Sequence, residues 1–228
     1  MEKNFEEGEV ILIDKPLEWT SFDVVKKLRN NLRIKKIGHA GTLDPLATGL
    51  LILCTGKFTK KINEYQDMAK EYTGTMLLGK TTPSVDLETD FDSEQDTSHI
   101  TIEAVKTATT PFLGAIQQIP PHYSAIKIGG ERVYKKARMG EEVKIDPREV
   151  TVHQFEITDS NLPEVSFKVV CSKGTYIRSL VRDFGNSLQT GACLTSLRRT
   201  KIGDFDVAHA DNLVDFIHEN KIVKNKDQ

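Results

Sequence analysis

Hydrophobic and polar positions follow two spacings along the chain, one typical of strands and one typical of helices. Short apolar or alternating runs such as EVILIDKP, LLILC and VSFKVVCS predict buried strands. Apolar residues three and four positions apart predict amphipathic helices in SFDVVKKLRNNL and YIRSLVRDFGNSL. Strands and helices are mixed without strict βαβ alternation. The pattern therefore predicts an α+β fold, in which helices flank a mixed, largely antiparallel central sheet.

Polar residues before two of the helical patterns indicate where those helices begin. The side chains of Ser21 and Asp211 can accept hydrogen bonds from first-turn N–H groups, so each is predicted to cap the helix that follows. Along the chain we find no repeat and no linker-like stretch. We therefore expect one compact domain over residues 1–228, interrupted by an irregular, basic stretch at about 122–148.

The overall composition, with 38% hydrophobic and 28% charged residues, is typical of a globular protein. The longest apolar runs are too short to span a bilayer, and the N-terminus is acidic where a signal peptide would be basic and then apolar. A cytoplasmic protein without membrane contact is the resulting prediction. Cys54, Cys171 and Cys193 form no CxxC pair, which predicts reduced, mostly buried thiols and neither a zinc cluster nor a disulfide framework.

Charge is segregated along the chain, although the net charge is only −2. Residues 86–96 carry six acidic and no basic side chains, and without them 31 basic residues stand against 27 acidic ones, a balance of +4. Basic residues cluster at 26–36, 57–61, 132–138 and 198–201. A single cluster is usually a solvated face, but four of them favour a surface that binds a polyanion such as nucleic acid.

A glycine-rich stretch, GHAGTLDPLATGLL, places one carboxylate, Asp44, directly after the most basic segment of the chain. Pro45 favours an extended backbone at Asp44, and the glycines allow a bulky partner to approach the backbone. On these residues alone Asp44 has two interpretations, a catalytic carboxylate or a structural Asx-turn residue. The stretch is not a Walker phosphate loop, because six residues separate Gly49 from Gly56. His39 has no His or Cys at metal-ligand spacing nearby, so no metal site is predicted.

A second unusual stretch, CSKGTYIRSLVRD, predicts a turn from a strand into a helix at Gly174 and Thr175. Tyr176 and Arg178 open that helix. An arginine beside an active carboxylate would hold it ionised, and a tyrosine would offer a flat face on which a base can stack. The alternative is structural, with the tyrosine in the core and the arginine on the surface.

Together with LRRTKIGDF, these two stretches resemble the TruB family of tRNA pseudouridine synthases. KEYTGTMLLGKTT and QIPPHYSAIKIGGERVYKKAR fall in the family's order as well, so the resemblance extends from Asp14 to Phe205. It implies the pseudouridine synthase catalytic fold and the isomerisation of uridine 55 in the T-loop of tRNA to pseudouridine. This reaction breaks N1–C1′ and joins C5 to C1′ without redox change or hydrolysis, so neither a cofactor nor a metal is expected. The expected partner is the T-arm of tRNA, bound by a monomer without an obligate protein partner.

The resemblance also implies roles for single residues. Asp44 corresponds to the essential catalytic aspartate. It would act as a nucleophile on the ribose or the uracil, or as the base that starts an elimination, and the sequence leaves this choice open. Tyr176 would handle the proton removed from C5. Arg178 would pair with Asp44.

Other residues would bind the substrate. Tyr72 would stack on the flipped-out base, and His39 would fill the space that flipped-out nucleotides vacate. Leu197 would contact the target ring. The stretch 122–148 resembles the family's thumb loop, which folds over the T-arm. Its candidate contacts to the RNA backbone are the basic residues Lys127, Arg132, Lys135, Lys136 and Arg138.

Many relatives in this family continue into a C-terminal PUA-type RNA-binding domain. Roughly twenty residues follow Phe205, so we expect no such domain here and a consequence for affinity rather than for reaction type. Two other functions stay open. A catalytically idle RNA-binding module would tolerate the loss of Asp44. An acid-dependent hydrolase would need a second carboxylate, for which Asp86 and Asp183 are candidates only because they are acidic.

Overall fold

The computed structural model describes residues 4–124, 126–128, 131–133, 139 and 143–220. The chain divides into two compact units. The first unit comprises Met1–Tyr72 with Arg198–Gln228, and the second unit comprises Thr73–Leu197. Each unit is described by itself below.

The secondary structure alternates irregularly between strands and helices. The helices are α1 (Ser21–Leu32), α2 (Ile62–Asp67), α3 (Ile102–Thr107), α4 (Ile177–Ser187) and α5 (Leu213–Asn220). The strands are β1 (Val10–Lys15), β2 (Ile37–His39), β3 (Ala47–Thr55), β4 (Lys70–Leu78), β5 (Lys80–Thr81), β6 (Ser93–Glu94), β7 (Gly114–Gln118), β8 (Lys127–Ile128), β9 (Glu131–Arg132), β10 (Arg148–Asn161), β11 (Glu164–Cys171), β12 (Ala192–Ile202), β13 (Phe205–Asp206) and β14 (Asp211–Asn212).

The strands of the first unit follow the order β14-β1-β3-β12. β1 runs antiparallel to β3, with Lys15 opposite Gly49, and parallel to β14. β2 pairs antiparallel with the end of β3, with His39 opposite Leu53. The last residue of β1 therefore lies beside the start of β3, immediately after the loop that carries Asp44.

An apolar core holds α1 and α5 in the first unit. Its buried members come from both helices and from β1 and β3, and they include Ile13, Val24, Leu28, Leu51 and Phe216. Burying one such side chain contributes about 1.5–3 kcal/mol relative to leaving it in water. The core thereby fixes the N-terminal end of α1, whose first residues contact the Asp44 loop.

The helix caps differ from the prediction in both cases. Thr20, not Ser21, caps α1: its hydroxyl accepts the Asp23 N–H at 3.0 Å, and the Asp23 carboxylate accepts the Thr20 N–H at 3.0 Å. Ser21 is the first helical residue and is buried. Its hydroxyl bonds the backbone of Leu43 and is therefore not used as the cap. Asn212 rather than Asp211 caps α5, because the Asn212 side-chain oxygen accepts the Val214 N–H at 2.8 Å.

The strands of the second unit follow the order β12-β4-β11-β10-β7. β10 pairs antiparallel with both β11 and β7, and its first residue, Arg148, lies opposite Gln118. Phe155 of β10 contacts Phe167 of β11 and Phe184 of α4, with ring centroids 6.2 and 5.3 Å apart. This aromatic cluster fixes α4, the helix that follows Tyr176, against the sheet of its own unit.

The predicted fold class is confirmed, because helices accompany a mixed sheet in which β1 and β14 are parallel and the pairs described above are otherwise antiparallel. The predicted state of the thiols is also confirmed: Cys54, Cys171 and Cys193 are buried and form no disulfide among the described residues. Burial raises the pKa of Cys54 and of Cys193 to about 11. In the part of the chain that the structure describes, no helix has the length and apolar character needed to cross a membrane.

The predicted insertion at 122–148 is described in part. β8 and β9 form a short antiparallel pair in which Lys127 lies opposite Arg132. Lys135, Lys136 and Arg138 lie outside the described residues. The single catalytic domain, the RNA-binding role of the insertion and the lack of a PUA domain stay predictions.

Candidate active site

Asp44 lies half-buried in the loop between β2 and β3. Its carbonyl accepts the Ala47 N–H at 3.1 Å, which closes a turn at Pro45. Just before it, the Leu43 N–H donates to the Ser21 hydroxyl at 2.9 Å, and that hydroxyl lies 3.3 Å from the Leu43 carbonyl, to which it donates. Both backbone groups of the residue preceding Asp44 are therefore tied to the start of α1.

Lys15, at the end of β1, is fully buried against the same loop. Its ammonium donates to the carbonyls of Pro16, Trp19 and Pro45 at 2.8, 2.5 and 3.3 Å. Burial lowers the pKa of Lys15 to about 8, while the negative charge of Asp44 opposes this shift. Lys15 is therefore mostly protonated at pH 7 and supplies a positive charge close to Asp44. The sequence interpretation missed it, although the DKP triplet begins the stretch that carries the resemblance.

Arg199 is buried as well, which corrects its assignment to a solvent-facing basic cluster. Its Nε donates to the Leu50 carbonyl at 2.8 Å and its Nη2 to the Gly41 carbonyl at 3.2 Å. Gly49 has φ +102°, and a Cβ there would collide with the Arg199 backbone. This glycine thus allows close packing within the protein, and not the approach of a partner that was expected.

The remaining basic residues of that cluster are paired. Arg198 makes two hydrogen bonds to the Asp14 carboxylate, at 3.0 and 2.6 Å, and Lys201 lies 3.5 Å from Asp206. The Lys and Arg side chains of 26–36 and 57–61 are all exposed, as a polyanion-binding surface requires, and Lys35 among them lies 3.7 Å from the Glu6 carboxylate.

His39 and Tyr72 complete the predicted residues of the first unit. Burial lowers the pKa of His39, so its imidazole is neutral at pH 7. Tyr72 is buried in β4. Two residues earlier, the Lys70 ammonium donates to the carbonyls of Gln66 and Met68 at 2.5 and 2.6 Å and so fixes the point at which β4 begins.

Tyr176, in the second unit, immediately precedes α4. Its N–H donates to the Gln118 side-chain oxygen at 2.8 Å, and its carbonyl accepts from the Gln118 side-chain nitrogen at 3.1 Å. The Arg148 guanidinium lies over the Tyr176 ring, 4.7 Å from its centroid. Gly174, at φ +80°, allows the turn from β11 into this position.

Arg178 is buried, and its Nε lies 3.6 Å from the Asp86 carboxylate. It also donates to the carbonyls of Ser84 at 3.0 Å and Tyr123 at 2.8 Å. Arg178 is therefore not the surface residue of the structural alternative. Asp86, counted in the sequence as part of an acidic loop, is its buried charge partner.

The predicted residues divide evenly between the units: His39, Asp44 and Tyr72 lie in the first, and Tyr176, Arg178 and Leu197 lie in the second. Leu197 is half-buried in β12. The pairing of Arg178 with Asp44 stays a prediction. Among the described residues, no group of three or more His, Cys, Asp or Glu side chains could hold a metal ion.

Two family models match the chain. The model of the TruB family pseudouridylate synthase N-terminal domain matches residues 29–177, and that of the tRNA pseudouridylate synthase B C-terminal domain matches residues 178–228. With its α+β fold and its aspartate in a glycine-rich loop, the chain is thus a protein of the pseudouridylate synthase class. Within that class it belongs to the TruB family.

Curated relatives match nearly the whole chain. It is 57% identical to the tRNA pseudouridine synthase B of Flavobacterium johnsoniae, over 92% of this chain and 95% of that protein. It is 47% identical to the protein of the same name from Parabacteroides distasonis, over 99% of both chains.

Solved structures share the fold. A chain of a Cbf5-Nop10-Gar1 complex is 30% identical with a TM-score of 0.73, over 94% of this chain. A chain of an H/ACA RNP bound to a substrate RNA containing 2′-deoxyuridine is 26% identical with a TM-score of 0.70, also over 94% of this chain. The chain spans about half the length of those chains, 54% and 53%.

Proposed function

We propose that this enzyme converts uridine 55 in the T-loop of tRNA to pseudouridine, with Asp44 as the catalytic carboxylate. The observation that carries the proposal is the construction of the Asp44 loop. The Ser21 hydroxyl accepts the Leu43 N–H, and Arg199 donates to the Gly41 carbonyl. The buried Lys15 ammonium donates to the Pro45 carbonyl. A structural Asx-turn residue does not need a buried cation beside it, whereas a reacting carboxylate must be held ionised and in place.

The chemistry suits this arrangement. Cleavage of N1–C1′ requires a group that attacks the ribose or uracil, or that removes a proton to start an elimination, and Asp44 can serve in each way. Tyr176 would then handle the C5 proton, with Arg178 as the positive charge paired with Asp44. The uridine would leave its stack to reach these groups. Tyr72 would stack on it, Leu197 would contact its ring, and His39, neutral by burial, would fill the vacated space.

The names of the relatives support tRNA as the substrate. The exposed basic residues of 26–36 and 57–61 suit contacts to phosphates, and the basic residues of 122–148 are proposed to bind the T-arm. Monomeric state, cytoplasmic location and independence from cofactors stay predictions.

Tritium release tests the proposal. A tRNA transcript labelled at C5 of its uridines is incubated with wild type, with Asp44→Asn and with a matched control, Asp204→Asn, whose carboxylate is exposed. We expect release by wild type and the control, and a rate at least about a hundredfold lower for Asp44→Asn. A second transcript, with cytidine at position 55 and label in its remaining uridines, should release no tritium.

Three results would contradict parts of the proposal. No release by a folded wild type that binds the transcript would favour the idle RNA-binding module. Equal release by Asp44→Asn would keep the activity but assign the chemistry to another residue. Undiminished release from the transcript with cytidine at position 55 would contradict the proposal that the enzyme acts specifically on that position.

A further inference from the structure

Tyr176 is held by two residues that the sequence interpretation did not single out. Gln118 contacts its backbone twice, as donor and as acceptor, and Arg148 covers its ring. Gln118 is completely buried, so its amide has exchanged water for these two hydrogen bonds. The Gln118 amide thus donates one hydrogen bond to the Tyr176 backbone and accepts one from it, as the backbone of a neighbouring strand would.

The place of Tyr176 in the fold explains why it needs such support. It precedes α4 in an extended conformation with ψ 114°, and its own side chain makes no capping hydrogen bond. Without Gln118 its N–H would lose this hydrogen bond, while its carbonyl would keep the one that it accepts from the Leu180 N–H at 3.1 Å. The turn before it is also fixed, because the Thr175 hydroxyl donates to the Ser172 carbonyl at 3.0 Å. The whole approach to Tyr176 is therefore rigid.

Arg148 fixes the orientation of the ring. Its Nη2 donates to the Gly174 carbonyl at 2.6 Å, while the guanidinium lies over the ring of Tyr176. Its Nε is buried and has no hydrogen-bond partner among the described residues. Leaving a buried donor unsatisfied costs free energy, and such exceptions call for an explanation. Here the guanidinium leaves one donor unsatisfied where it lies over the ring of Tyr176.

Gln118 and Arg148 also lie side by side in the sheet. Gln118 is the last residue of β7 and Arg148 the first of β10, and they lie directly opposite in the register of these strands. α4 adds to this arrangement, because the Ser179 hydroxyl donates to the Ile119 carbonyl at 2.8 Å. One pair of opposed residues thus controls both the backbone and the ring of Tyr176.

We propose that Gln118 and Arg148 are positioning residues that align the Tyr176 hydroxyl for its step in the isomerisation. This inference rests on the proposed function, in which Tyr176 handles the C5 proton. Neither residue contacts the reacting atoms. Both act through Tyr176, which they hold in place. A displacement of a reacting group by about 1 Å can lower a rate about a hundredfold, so we expect the loss of either residue to slow the reaction.

Gln118→Met tests the backbone contacts, since methionine has a similar length and no amide. Gln117→Met is the matched control, because Gln117 is its exposed neighbour on the same strand. We expect Gln118→Met to lower the single-turnover rate of tritium release about tenfold to a hundredfold while the Kd for tRNA stays within about twofold. The control should react like wild type. A Gln118→Met protein that folds and reacts at the wild-type rate would overturn the proposal.

Arg148→Met and Arg148→Lys test the ring contact. Lysine keeps the charge but cannot cover the ring and bond Gly174 at the same time, so both variants should lose rate at unchanged Kd. If Arg148 instead binds a phosphate, Arg148→Met will weaken tRNA binding, reduce its salt dependence and leave the rate at saturation unchanged, which would overturn its positioning role.

A double variant, Gln118→Met with Tyr176→Phe, distinguishes an effect on the position of the Tyr176 hydroxyl from a general loss of protein stability. If Gln118 acts through the Tyr176 hydroxyl, Gln118→Met will have little further effect on the rate once that hydroxyl is absent. An effect of full size in the Tyr176→Phe protein would overturn the proposal. The proposed function fails separately, because in that case the wild type itself releases no tritium.

Discussion

Replacing Ser21 with alanine is expected to slow the reaction much more than the loss of a neighbouring hydroxyl does. The Ser21 hydroxyl accepts the Leu43 N–H at 2.9 Å and donates to the Leu43 carbonyl at 3.3 Å, and Leu43 directly precedes Asp44. Leu43 and Ser21 are both buried, so water does not readily replace these bonds. The second bond is long and therefore weak. We estimate that the substitution lowers the free energy of unfolding by about 2–3 kcal/mol.

Thr20→Ala is the matched control. It removes the hydroxyl that caps the same helix, at a cost of about 0.5–2 kcal/mol, while the bond between Ser21 and Leu43 is kept. Urea unfolding measures both losses of stability. Single-turnover tritium release from a C5-labelled tRNA transcript, at saturating enzyme and well below the unfolding transition, measures both rates.

The structure predicts that the two variants differ in rate. Ser21→Ala should react about tenfold to a hundredfold more slowly than wild type, because the loop that carries Asp44 has lost its tie to α1. Thr20→Ala should react at nearly the wild-type rate. If both folded variants react equally fast, the Ser21 contact is structural only and does not position Asp44 for the reaction.

Two further predictions concern buried charges. Because burial lowers the pKa of Lys15 from 10.5 to about 8, the unfolded chain binds more protons between these values. The free energy of unfolding of wild type should therefore rise by up to about 3 kcal/mol from pH 7.5 to 10.5, relative to Lys15→Met; a constant difference in urea unfolding would contradict this. Asp86→Asn removes a buried charge partner of Arg178 and should cost about 3 kcal/mol. Asp183→Asn, whose pair with Arg182 is partly exposed, should cost less than about 1 kcal/mol, and equal losses would argue against the buried pair.

The fold class could be predicted because the periodicity of apolar residues reports directly which face is buried. α1 shows this well: Val24, Val25, Leu28 and Leu32 are buried at helical spacing, as the pattern required. The caps could not be predicted with the same security. Thr20 and Ser21 both carry a hydroxyl, and the choice between them depends on Leu43, a residue 22 positions away.

The sequence singled out a candidate where a distinctive residue lies in a distinctive loop, as Asp44 does, and its catalytic role stays a prediction. Lys15, Arg199 and Asp86 were missed or misassigned, because a sequence pattern gives charged residues to the surface. Each is buried here because other groups satisfy it: Lys15 donates to carbonyls both near and far along the chain, and Arg199 donates to the carbonyl of Leu50, 149 residues earlier. Gln118 begins the stretch QIPPHYSAIKIGGERVYKKAR, but its positioning role could not be predicted, since an amide that bonds a backbone looks like any other glutamine in the sequence.

The opposed pair of Gln118 and Arg148 also has a consequence for how such a protein can diversify. The chain departs from the sheet after one of these residues and returns at the other. The residues just after Gln118 belong to the scaffold, because Arg178 bonds the Tyr123 carbonyl and Ser179 bonds that of Ile119. Between Ser124 and Arg148, by contrast, exposed positions can change without shifting the strand register, whereas Val133 and Ile145 are buried and must stay apolar. If that segment binds RNA as proposed, exchange of its exposed residues would alter which RNA is bound while Tyr176 keeps its alignment.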